Sequence, residues 1–81
     1  MLEFLPRLLA HLASAERQRG GFLLVPHDLP TAMDAVGQDG EHKWLNFMKW
    51  LDEEGYFAHT RPPTTAKRVL TTKAHELASR A

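Results

Sequence analysis

Eighty-one residues suffice for one domain with a modest core but leave little room for a deep catalytic cleft, which favours a binding module over an enzyme. With 43% hydrophobic and 25% charged residues the chain reads as a soluble globular domain, and its lack of cysteine excludes a disulfide framework and a thiolate metal site and fits a cytoplasmic protein. The formal net charge of zero hides a gradient, with +1 over residues 1–26, −5 over residues 27–58 and +4 over residues 59–81.

The opening MLEFLPRLLAHLASA is leucine-rich, but Glu3, Pro6, Arg7 and His11 interrupt it, so it is read as an amphipathic helix rather than a signal peptide or membrane span. Leu5, Leu8, Leu9 and Leu12 repeat at the helical spacing, which predicts a first helix over about residues 5–18, stopped by Gly20 and Gly21. FLLV at 22–25 predicts a short strand ending at Pro26. Asp28 is then expected to cap a second helix that has Pro30 in its first turn and ends at Gly37. Asp39 is expected to cap a third helix over about residues 40–54, closed by Gly55. Beyond Gly55 the pattern becomes β-compatible, with YFAHT and KRVLT flanking the proline-stiffened tip RPPTTA, and from Thr71 a last helix places Ala74, Leu77, Ala78 and Ala81 on one face. No linker or repeat divides residues 1–81, which are read as a single domain.

This order of helix, strand, two helices, hairpin and helix is that of a winged helix-turn-helix, an α+β fold with a three-helix core, a two- or three-stranded wing hairpin and a short C-terminal helix. Over residues 44–78 the chain resembles MarR-like winged-helix regulators. The resemblance rests on the helix end Leu51-Asp52-Glu53-Glu54-Gly55-Tyr56 and on the returning strand Val69-Leu70-Thr71, followed by Ala74 and Leu77. It implies a transcriptional regulator that binds double-stranded DNA, with helix three in the major groove and the wing, about residues 59–68, on the backbone or minor groove.

At about 100° per residue, Trp44, Phe47, Met48 and Leu51 share one stripe of helix three and are expected in the core, with Leu45 at its edge. His42, Asn46 and Lys49 face the other way and Lys43 lies on a shoulder. Asn46 suits adenine, the lysines suit phosphate or guanine, and His42 could donate to either. Equally, His42, Asn46 and Lys49 could form an ordinary solvated face, and Glu41, Asp52, Glu53 and Glu54 on the same segment oppose a polyanion. In the wing, Arg61, Lys67 and Arg68 flank a turn without an acid between them, which suits phosphate contact.

Trp50 lies well off the core stripe. It is read either as packing beneath Tyr56 or the wing, or as a partner anchor, tryptophan being enriched at interface hot spots. The second reading gives the alternative function, a protein-interaction module or small inhibitor working through Trp50 and the acidic central segment. Phe4 is expected to cap the core or to meet a second subunit, and a homodimer would let two wings share one duplex. The five histidines are widely separated, no carboxylate lies at a metal-ligand spacing, and neither Ser14 nor Ser79 sits in a nucleophile motif, so neither catalysis nor a cofactor is expected.

Overall fold

A computed structural model describes residues 2–81, which form four helices and three strands. Helix α1 is Leu5–Gln18, β1 Leu23–Leu24, α2 Val25–Ala35, α3 Gly40–Glu53, β2 Phe57–Ala58, β3 Lys67–Leu70 and α4 Thr72–Ala78. The strands make one antiparallel sheet in the order β1-β3-β2, with Leu23 opposite Arg68 and Phe57 opposite Leu70. This small α+β arrangement is compatible with a winged-helix layout.

Helix α1 forms where the leucine spacing places it, and Leu5, Leu8, Leu9 and Leu12 are fully buried. They meet Leu23, Val25, Leu29, Met33, Leu51, Tyr56, Phe57, Leu70 and Leu77 in one core. Each fully buried leucine is worth about 1.5–3 kcal/mol relative to exposure, so α1 is the main apolar contributor to a core of this size. Thr71 joins the sheet to α4. Its backbone N–H donates to the Tyr56 carbonyl at 3.1 Å, its hydroxyl donates to the Gly55 carbonyl at 2.6 Å, and the same oxygen accepts the Ala74 N–H at 3.3 Å as the helix cap. Gly55, at φ +78°, makes the turn that delivers the chain from α3 into β2.

Three expectations shift in detail. Helix α2 begins at Val25, three residues before Asp28, because Pro26 rather than Pro30 is the first-turn proline. Asp28 is not the N-cap: its carboxylate reaches back to the Leu24 N–H at 2.8 Å and receives the Arg19 guanidinium at 2.6 and 2.8 Å. Asp39 does occupy the N-cap position of α3, but its side chain caps no backbone group. It is Asp34, on α2, that accepts the Gly40 N–H at 2.8 Å.

Helices α2 and α3 cross closely at Pro30 and Gly40. A Cβ on Gly40 would overlap the Pro30 carbonyl and Cα, which are backbone atoms that cannot swing aside. Gly40→Ala is therefore expected to destabilise the domain by about 1–3 kcal/mol in equilibrium urea unfolding. On helix propensity alone, alanine would instead be favoured by up to about 1 kcal/mol, so an unchanged or raised midpoint would show that the crossing is not tight.

Candidate nucleic-acid interface

On α3 the expected division of faces holds, with a shallower core side. Leu51 is fully buried, Trp44, Phe47 and Met48 are half-buried against the core, and Leu45 is 48% exposed. His42, Lys43, Asn46 and Lys49 are all exposed. His42 is held by its own helix turn, with Nδ1 2.9 Å from both carboxylate oxygens of Asp39. With Nδ1 so engaged, Nε2 is left to meet a ligand: it accepts when the ring is neutral and donates when the ring is charged.

The loop between β2 and β3 lies beside α3, and the residue that holds it there is Arg68. Its Nε and Nη2 donate to the two oxygens of Asp52 on α3 at 2.9 and 3.0 Å. Its Nη1 donates to the carbonyls of Thr64, Thr65 and Lys67 at 3.2, 3.3 and 2.9 Å. Arg68 is only 5% exposed, so its place among the phosphate-contacting candidates is corrected: the guanidinium is buried and bound within the fold. Arg61 is exposed on the same loop, and Lys67 is partly exposed with its ammonium 4.9 Å from the centre of the Phe22 ring. Of the three wing cations, Arg61 and Lys67 are therefore the pair available to a ligand.

Trp50 packs inside its own domain, which was the first of its two readings. Its ring stacks on Phe47 at 5.2 Å and lies 5.9 Å from Tyr56, while Phe4 closes the row at 5.9 Å from Phe47. Phe4 thus caps this edge of the core. Above the row runs an open groove of about 440 Å³, lined by Leu2, Phe4, Phe47, Trp50, Lys43 and Asn46 among others. Trp50 retains an accessible edge there while most of its stacking partners are intramolecular.

Of the four acidic residues that oppose a polyanion on the α3 segment, one, Asp52, is engaged inside the protein, by Arg68. Two further acids also have basic partners, Asp28 in Arg19 and Asp39 in His42. Burial raises the Asp28 pKa, but the Arg19 hydrogen bond, the Leu24 N–H and the Arg19 charge outweigh it and leave the carboxyl below its ordinary value. Glu16, nearly buried on α1, accepts the Leu70 N–H at 2.7 Å and the His75 Nε2 at 3.0 Å. Glu41, Glu53 and Glu54 remain exposed.

Neither Asp52 nor Glu16 was singled out from the sequence as a structural contact. For Arg68 a usable signal existed: on a strand, residues two apart share a face, and Arg68 is two from the core residue Leu70. Among the described residues, no group of three or more His, Cys, Asp or Glu side chains is placed to hold a metal ion, and no helix is long and apolar enough to cross a membrane. Comparison of the chain with protein-family models, with curated proteins and with solved structures gave no match.

The His42 pKa is raised above its ordinary value, first by the hydrogen bond to Asp39, then by the charges of Asp39 and Glu41. That of Asp39 is correspondingly lowered, first by the same hydrogen bond. A raised histidine pKa contributes stability below its unfolded value that is lost as pH rises through the folded one. The lowered Asp39 pKa contributes above its unfolded value and is lost as pH falls through the folded one, so the pair is intact between the two. In an NMR pH titration, Asp39→Asn is expected to move the His42 midpoint down. An unmoved midpoint would mean that the ring is not paired in solution.

Proposed function

We propose that this chain is a small winged-helix DNA-binding domain, MarR-like in its third helix and wing, that acts in the cytoplasm as a transcriptional regulator. The observation that carries the reading is the Arg68 bridge. It ties the end of the loop that carries Arg61 and leads to Lys67 to the last turn of the helix whose outer face presents His42, Asn46 and Lys49, which supports a docking that uses the helix and the cationic loop together.

In this reading α3 enters the major groove. Asn46 pairs with an adenine edge, Lys49 and Lys43 meet guanine or phosphate, and protonated His42 adds a donor at the N-terminal turn of the helix. Arg61 and Lys67 contact the backbone or the minor groove, and the sheet order β1-β3-β2 supports the winged-helix assignment that makes this docking sensible. The pairing of Asp52 with Arg68 supports it further, by lowering the negative potential at that end of the presented face.

A second reading draws on the groove above Phe4, Phe47 and Trp50, with Leu2 38% exposed at its rim. There the domain would contact a protein, as an interaction module or inhibitor, and the loop cations would be immaterial.

Titration of labelled duplex DNA at about 50 and about 200 mM salt separates the two. Four or five phosphate contacts predict a loss of affinity of about 10²- to 10³-fold between those conditions. Arg61→Ala with Lys67→Ala is expected to reduce the salt slope by about 2, since each contact contributes about 0.9 to it. Absence of binding even at about 50 mM salt would contradict the DNA reading and leave the protein-contact reading standing.

A further inference from the structure

We infer that Asp52, an acid on the helix assigned to the DNA groove, raises DNA affinity by holding the wing loop in place through Arg68. The inference rests on the DNA-binding reading above and concerns how its two contact elements are kept in register.

Asp52 does not act on a ligand directly. Both its oxygens are taken by Nε and Nη2 of Arg68 in a two-point contact that fixes the plane of the guanidinium. That plane aims Nη1 at the carbonyls of Thr64, Thr65 and Lys67. The loop is otherwise attached at its β3 end: the Lys67 N–H donates to the Thr64 hydroxyl, the Ala66 carbonyl accepts the Val25 N–H, and Lys67, the first residue of β3, pairs with Leu24 of β1. Arg68 therefore carries the link between the middle of the loop and α3. Since Pro62 and Pro63 stiffen the tip between Arg61 and Thr64, a shift at Thr64 and Thr65 passes on to Arg61.

Without the Asp52 carboxylate, Arg68 would be a guanidinium at 5% exposure lacking its countercharge. The side chain would have to turn towards water, and its hydrogen bonds to the loop would go with it. Charge counting gives the opposite expectation, because removing an acid near a phosphate backbone relieves repulsion worth about twofold in affinity at a separation of about 10 Å in water. Glu53, the next residue and exposed, provides that comparison.

The test uses the whole chain and a short fluorescein-labelled duplex of mixed sequence, with anisotropy titrations between about 50 and about 200 mM salt for the wild type, Asp52→Asn and Glu53→Gln. Glu53→Gln is expected to bind equally or about twofold more tightly. Asp52→Asn is expected to bind about tenfold or more weakly, with a salt slope shallower by about 1 as Arg61 leaves the phosphates while Lys67 stays held by its pairing with β1. The slope identifies positioning, because partial unfolding lowers the active fraction and leaves the slope unchanged. Amide exchange over residues 64–67 is expected to quicken in Asp52→Asn. If that variant unfolds at the assay temperature, Arg68→Lys takes its place: it keeps the charge but cannot span Asp52 and the loop carbonyls together, and the same weakening and shallower slope are expected. Binding by the folded variant as tight as that of Glu53→Gln, or an unchanged slope, would overturn the inference while the DNA reading stands. Failure of the wild type to bind would overturn both.

Discussion

The contact between Arg68 and Asp52 is the constraint on which the proposed surface depends, because it is where the sheet, the loop and α3 are tied together. Two other acidic side chains do comparable work elsewhere. Strands β1 and β2 are two residues long, so the sheet leaves backbone groups without strand partners. Beyond the end of β1, Glu16 takes the N–H of Leu70, and at the start of α2 Asp28 takes that of Leu24 while binding Arg19. Hydrogen bonds to charged groups contribute about 1.5–3 kcal/mol each, a large share of the margin available to so small a domain. Every buried side-chain nitrogen or oxygen among the described residues has a partner, as a core with embedded charges requires.

These pairings also change the electrostatic reading of the chain. Along the sequence, residues 27–58 are a block of net negative charge, yet Asp28, Asp39 and Asp52 each meet a basic partner. What faces solvent on α3 is then a mixture in which Lys43 and Lys49 stand against Glu41 and Glu53, while the loop after β2 bears Arg61 and β3 begins at Lys67. On the proposed reading such a surface would use phosphate contacts for affinity, with Asn46 as its main means of base discrimination.

Much of the architecture was legible in the residues. The leucine spacing gave α1 within its observed bounds, Gly55 gave the end of α3, and the change of pattern at Thr71 marked the start of the last helix. What was missed depended on which side chain meets which across the fold. Asp28 looked like a cap because an acid before a proline often is one, but Arg19 and the Leu24 N–H, brought close by the turn after α1, claimed its carboxylate. Arg68 looked like a surface cation because its neighbours Lys67 and Arg61 are, although strand alternation placed it inward with Leu70. Trp50 lay off the helical stripe, and only the positions of Phe47 and Tyr56 supply the aromatic row that covers it. Helical periodicity describes one element at a time, whereas these contacts belong to pairs of elements.

On the proposed reading, α3 and the loop held to its last turn form one DNA-contacting face. Chemical-shift mapping of the isotope-labelled domain against duplex DNA tests it most directly. Perturbations are expected at His42, Lys43, Asn46, Lys49, Arg61 and Lys67, with Leu2 and Phe4 at the far side of the groove unaffected. Perturbations confined to Leu2, Phe4 and Trp50, or none at any DNA concentration, would contradict it.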